Sequence, residues 1–250
     1  MIDAIGQVCL AGPRLHDPGG EDDLDARSVR VSAVDPHGAR VSYPSSRMPE
    51  SDPALGLSDR GEWRAYRVKG NLLAARPRYV REKWGDAGYA DVASRLGPPA
   101  RAILEGTILP FAWYDFPDMA EIDRAIVAGP MGGDVSKMKA FGSTIARYDL
   151  PTLYKVLFKI GTPSFFMKRI NAVYSTYIRG GAMATSSVSS DHAVVAQTEG
   201  DLPFYFCDQG IPGWFTAAIE LSGGRQVRVA QIECVHMGGA RCTWDAAWKS

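Results

Sequence analysis

Val227-Arg-Val-Ala-Gln-Ile-Glu-Cys-Val-His-Met-Gly-Gly-Ala-Arg-Cys-Thr-Trp244 is the stretch whose reading decides the fold. Val227, Val229 and Gln231 alternate with Arg228, Ala230 and Ile232, the period of two that marks a strand with unlike faces. Gly238-Gly239 interrupts the alternation, and Arg241 to Trp248 returns as the antiparallel partner. The turn sets Cys234 and Cys242 on neighbouring strands, where two thiols can face one point. Cys207 joins them, so three of the four cysteines in 250 residues fall in the last fifth of the chain. Two readings stay open at this point. The thiols are metal ligands, or they are buried and pack as small apolar groups. Zinc fingers and ribbons use short gaps between ligands, and a cysteine 27 residues upstream departs from that pattern. A fourth ligand would come from His236, Glu233, Gln231 or Asp208.

Outward from the hairpin, Pro212 to Leu221 carries Trp214, Ala218 and Leu221 at helical spacing and ends at Gly223-Gly224. Leu202 to Gln209 is strand or short helix, and Ala193 to Thr198 is a strand. Before Gly180-Gly181 the period is helical. Helices are expected between Gly70 and Gly85, from Asp86 to Leu96, from Pro98 to Glu105, after Pro117, from Asp134 to Tyr148 and over Leu150 to Ile160. Thr162-Pro163 supplies an N-cap and first-turn pair for one more, carrying Phe165, Phe166, Tyr174 and Tyr177. Ile108 to Tyr114 reads as an apolar connector. Residues 1–60 differ from the rest: an acidic Gly/Pro-rich stretch, then β-branched runs on both sides of Asp35-Pro-His-Gly38, which describe a β-hairpin. The fold class is α/β of the α+β kind, a helical N-terminal half packed on a small antiparallel C-terminal sheet. Residues 1–60 form a hairpin extension and 63–250 the main domain.

Bulk numbers limit the function. Hydrophobic residues make up 46% and charged residues 22%, an ordinary globular balance. No apolar run approaches the roughly 20 residues of a membrane span, and no signal peptide is read, so the cytoplasm is expected. Residues 61–190 hold 18 basic and 11 acidic side chains without a dense block, which argues against nucleic acid. Gly129-Pro-Met-Gly-Gly133 lacks the Gly-Lys-Ser/Thr ending of a phosphate loop. Ser190-Asp191-His192 are neighbours in sequence and cannot form a triad with one another, and no nucleophile–base pair is identified, so no enzyme is expected. Trp113, Tyr114, Phe165, Phe166, Tyr177 and Trp214 offer more aromatic surface than catalytic polarity, and are the candidates for lining an apolar ligand pocket.

The closing stretch, with the helix from Gly213-Trp-Phe to Gly223-Gly224, resembles the end of 4-vinyl reductase domains and of the aromatic-sensing input domains of bacterial activators. That resemblance implies a zinc site on Cys207, Cys234, Cys242 and a glutamate, but Gln231 stands at the glutamate position, so His236 or Glu233 would substitute. Arg67-Val-Lys-Gly70, Trp113-Tyr114 and Tyr148-Asp-Leu-Pro-Thr-Leu-Tyr154 resemble an uncharacterised family abundant in myxobacteria, distantly related to the haem/nitric-oxide-binding and trafficking-particle subunit fold. Tyr174-Ser-Thr-Tyr-Ile-Arg179 only approximates the Tyr-x-Ser-x-Arg signature of the haem-binding branch, and no proximal histidine is visible, so haem is disfavoured. The resemblance implies a non-catalytic, homodimeric sensory module for a hydrophobic or aromatic small molecule. The alternative is a protein-interaction or scaffold subunit of the same fold, with a protein partner and no ligand.

Overall fold

A computed structural model describes residues 61–153 and 162–250, and the backbone of two strands, β1 (Val31–Val34) and β2 (Arg40–Tyr43). The two pair antiparallel, Val31 opposite Tyr43 and Val34 opposite Arg40, on either side of Asp35-Pro-His-Gly38. The rest of residues 1–60 lies outside the described residues, as do residues 154–160 of the expected helix.

β3 (Arg67–Lys69) runs straight into α1 (Gly70–Ser94). Gly85 interrupts α1 at φ 66, ψ −163, a conformation open to glycine because it carries no Cβ. The two helices expected around Gly85 are thus joined through a kink. α2 (Pro98–Glu105) begins with prolines and stops at Gly106. β4 (Trp113–Asp115) sits inside the stretch read as a connector, and β5 (Ile178–Arg179) follows much later. Both pair with β3 to make a three-stranded antiparallel sheet of order β4-β3-β5. Strands of two or three residues contain too few alternations to show a period, which is why the sequence does not reveal them.

α3 (Phe116–Ala128) and α4 (Met138–Leu153) complete the helical half. α4 continues through Tyr148 and Leu150, where two separate helices are expected from sequence. Thr162 caps α5 (Pro163–Met167), its Oγ1 accepting from the Phe165 N–H at 3.3 Å. α6 (Ile170–Tyr177) follows after a break at Lys168 and Arg169. β6 (Ala182–Val188), β7 (His192–Glu199), β8 (Arg225–Glu233) and β9 (Thr243–Lys249) form an antiparallel sheet of order β6-β7-β9-β8. The architecture is α+β, with helices leading and the larger sheet last.

α7 (Ile211–Leu221) joins the two halves. On its sheet side Phe215 meets Trp244 edge to face at 5.9 Å. Trp244, on β9 between Val195 and Gln231, is fully buried. On its other side α7 lies against α4 without a side-chain layer. A Cβ on Gly213 would fall 1.9 Å from the Lys139 carbonyl oxygen, and one on Gly142 would fall 2.2 Å from that of Gly210. Only glycine permits this approach.

One charged pair lies inside the helical layer. Arg76 of α1 and Asp123 of α3 are 1% and 0% exposed, with Nε to Oδ1 at 2.9 Å and Nη2 to Oδ2 at 3.0 Å. Burial pushes the Asp123 carboxyl pKa upward, and the Arg76 guanidinium pulls against it.

Candidate functional site

The closing hairpin brings the three cysteines together. Cys207 lies in a π-helical turn, Phe206–Gly210, Cys234 at the end of β8 and Cys242 just before β9. Their sulfur atoms all lie within 4.8 Å of one another, and all three are buried. The Trp244 indole N–H donates to the Cys207 carbonyl at 2.8 Å, and Gly239 N–H to the Cys234 carbonyl at 2.8 Å, fixing both ends of the turn. Hydrogen bonds from Cys207 and then Cys234 draw the Cys242 thiol pKa down, against its burial. Burial pushes Cys207 up. For Cys234 the bond with Cys207 lowers the pKa, but the bond to Cys242 and burial raise it further. Cys242 is thus the most acidic of the three, and the Cys207 S–H is directed at the Phe204 carbonyl at 3.3 Å.

Three of the other candidate ligands make bonds of their own. His236 Nε2 faces the Leu202 carbonyl at 2.8 Å, and its ring meets Phe204 edge to face at 5.6 Å. Glu233 accepts from Ala240 N–H and Thr243 Oγ1, both at 3.0 Å, bracing the hairpin loop. Asp208 accepts from the Gln209 amide at 2.7 Å. Structural zinc takes four ligands, and among the described residues the group has three. The zinc expectation is corrected accordingly, and His236 is not with the thiols. Because Cys207, Cys234 and Cys242 are at most 4% exposed, they should resist a thiol reagent in the folded protein. In a Cys9→Ser background, Ellman's reagent is expected to label none of them within minutes and all three in urea. Labelling of the folded chain at a rate typical of free thiols contradicts the burial.

A second feature is an apolar cavity of about 60 Å³. Its wall comes from α1, α4, α6, β5, β6, the π-helical turn and α7. Phe141, Tyr174, Tyr177, Phe206, Trp214 and Phe215 supply aromatic surface, and Arg76 is the sole charged residue named on the wall. Of the aromatics singled out in the sequence, Tyr177 and Trp214 line it. Phe166 is buried behind Trp214, ring centres 6.0 Å apart. Trp113 lies between the cations of Lys69 and Arg179, at 4.5 and 4.1 Å from its ring centre. The Tyr114 hydroxyl accepts from Leu109 N–H at 2.9 Å. Phe165 is 37% exposed beneath Arg169. The wall residues Phe141 and Tyr174 were missed because a helix stripe has the same spacing whether it faces solid core or a cavity. Among the described residues no histidine or cysteine reaches the wall. His192, from the adjacent Ser-Asp-His run, bonds Asp245 through Nε2 at 2.7 Å.

No family model matches the chain, and no curated protein matches it. Solved structures do. An H-NOX protein from S. oneidensis in the Fe(II)NO ligation state is 12% identical with a TM-score of 0.58, covering 73% of this chain and 100% of that one. An Fe(II) unliganded H-NOX mutant from K. algicida is 10% identical with a TM-score of 0.57, covering 73% and 97%. A structure described by the tuning of haem redox potential through porphyrin distortion is 12% identical with a TM-score of 0.53, covering 72% and 99%. The fold is H-NOX-like.

This likeness corrects two expectations. The 4-vinyl reductase resemblance rests chiefly on a Cys-turn-Cys hairpin, a short local pattern, whereas the H-NOX likeness spans almost three quarters of the chain. Haem as a class is not set aside, since this is a fold in which neighbours hold Fe(II). The donor set of this chain is nevertheless particular. Among groups that ligate haem iron, the wall offers the phenols of Tyr174 and Tyr177 and the thioethers of Met138 and Met183. The Tyr174 hydroxyl donates to the Gly180 carbonyl at 2.9 Å, and burial pushes its pKa up. These residues do not fit a histidine-ligated haem.

A separate cleft lies at the other end of α4, lined by Asn71, Arg78, Phe111, Tyr148 and Asp149 among others. Burial pushes the Asp149 carboxyl to about 7, against the pull of Arg76 and Arg78. A folded-state value above the unfolded one means the folded state holds the extra proton. The resulting stability is complete below about pH 4 and lost as pH rises through 7. Asp149→Asn should therefore be more stable than the parent at pH 8, on the order of 2 kcal/mol, with the difference vanishing near pH 4. Urea midpoints at the two pH values check it, and equal differences at both would contradict the assignment.

Proposed function

We propose that this chain is a non-catalytic, small-molecule-binding sensory module of the cytoplasm, residues 63–250 forming the binding unit and 1–60 an extension. The ligand is hydrophobic, with an aromatic or planar body. One observation carries this reading: a cavity with an almost wholly apolar, aromatic-rich wall, enclosed by α1, α4, α6 and α7 in a fold whose neighbours bind small ligands. A wall that is apolar and aromatic with few polar groups is the usual lining of such sites. Within the described residues no helix is long and apolar enough to cross a membrane.

A sensor passes its state on, so the reading includes a second copy of the chain or a protein partner. Leu109 and Phe111, 59% and 77% exposed on the loop before β4, favour the alternative in which surface contact is the whole function. Native mass spectrometry after purification, with melting curves against a panel of apolar and planar compounds including haemin, separates the two. The sensor reading expects a bound mass or a ligand-dependent rise, about 2.7 kcal/mol at a hundredfold excess over Kd. A chain that binds nothing and melts unchanged throughout is a scaffold. Light scattering with and without ligand reports the oligomer.

A further inference from the structure

The cleft at the other end of α4 contains a carboxyl without a partner. It lies between the first turns of α1, the loop before β4 and α4, and its volume of about 370 Å³ is within the range of small-ligand sites. Asp149 lines it at 9% exposure. Its Oδ2 is covered and has no hydrogen-bond partner, and no ion pair joins the carboxyl to any described residue. The cations nearby are engaged elsewhere. Arg78 donates from Nε to Glu82 at 2.8 Å and lies over the Tyr148 ring at 3.7 Å. Arg76 is held by both oxygens of Asp123. A buried carboxyl with no bond is costly. At the rim of the same cleft Phe111 is 77% exposed, and its ring meets no other ring or cation among the described residues.

We infer that this cleft is a second binding site, for a small organic cation: a primary ammonium head that pairs with Asp149, on an apolar or aromatic body laid along Ala74, Ala75 and Phe111. An ammonium has three donors and no acceptor, the counterpart of a carboxylate that has acceptors and no donor to use them. Its charge completes the local balance, in which Arg78 is matched by Glu82 and Arg76 by Asp123. Aromatic faces attract cations within about 6 Å of the ring centre. Phe111 offers such a face, whereas Arg78 already covers Tyr148. A neutral head leaves the Asp149 charge unmatched, and an anionic head is repelled by it. Below about pH 7 the free carboxyl keeps its proton; on binding, that proton leaves to solvent and the ammonium N–H groups take its place. The cleft shares no lining residue with the apolar cavity, so the inference goes beyond the sensory reading and does not depend on it.

The test uses the full chain at pH 8 and two probes with one body, 2-phenylethylamine and 2-phenylethanol, titrated by NMR into isotope-labelled protein. The expected result is that the amine binds at least about tenfold tighter than the alcohol, the worth of one hydrogen bond to a charged group. The amide signals of Asn71, Phe111 and Asp149 should move with it. Asp149→Asn keeps the shape of the side chain and is expected to be no less stable at this pH. In that variant the alcohol should bind as in the parent, and the preference for the amine should disappear. Equal affinities in the parent overturn the inference, as does a preference that survives Asp149→Asn. Absence of amine binding, or shifts confined to the cavity wall around Trp214, overturn the cleft as the site. None of these results touches the apolar cavity, which is tested by the compound panel above.

Discussion

Arg76→Met alone is expected to lower the unfolding free energy by about 3–5 kcal/mol, most of it restored when Asp123→Leu is added. The first change leaves a carboxylate at 0% exposure without the guanidinium that holds both of its oxygens. Protonation relieves part of the cost, and burial already pushes Asp123 in that direction. The single variant should therefore be less destabilised in acid than at neutral pH. The second change removes the stranded charge and leaves an apolar contact between α1 and α3. Urea unfolding of the two single variants and the double variant gives the cycle. Additive losses, with the double variant as weak as the sum, would show that packing and not charge pairing is what Arg76 contributes.

Trp244→Ala is expected to cost about 3–5 kcal/mol. The indole fills the space between β9 and α7 against Phe215, and its N–H satisfies the carbonyl of Cys207. Truncation leaves both a cavity and a buried carbonyl without its donor. Trp244→Phe restores much of the volume but not the hydrogen bond, so it should fall between the parent and the alanine variant. A Trp244→Phe variant as unstable as Trp244→Ala would assign the whole effect to the bond. Both losses are large beside the total stability of a domain, typically 5–15 kcal/mol.

The hairpin was legible because its signals are local. Alternation over Val227 to Ile232, the Gly238-Gly239 break and the returning strand each act over a few residues, and Gly238 indeed sits at φ 86. The facing of Cys234 and Cys242 was legible for the same reason, whereas Cys207, 27 residues earlier in another element, was joined to them by its place in the last fifth of the chain and by the family resemblance. That His236 lies apart from the thiols was not legible, because its direction is set by the Leu202 carbonyl, far away in sequence. The cavity was half legible. Tyr177 and Trp214 reach it, but Trp113 and Phe165 are drawn to cations at the surface, a pairing that composition cannot foresee. The three-stranded sheet and the partnership of Arg76 with Asp123 join residues roughly 50 to 110 positions apart, and no local period encodes them.

The approach of α4 to α7 through Gly142 and Gly213 has a mechanical side. Helices separated by side chains can slide, because rotamers exchange and the layer between them yields. Here the Gly210 and Lys139 carbonyl oxygens occupy the places where Cβ atoms of Gly142 and Gly213 would stand, so at these two points α4 meets α7 and the turn before it with no side chain between them to exchange rotamers. Phe141 and Trp214 face the cavity from these two helices, and Phe215 touches Trp244. Any side chain larger than glycine at position 142 or 213 would have to part α4 from the elements it packs on.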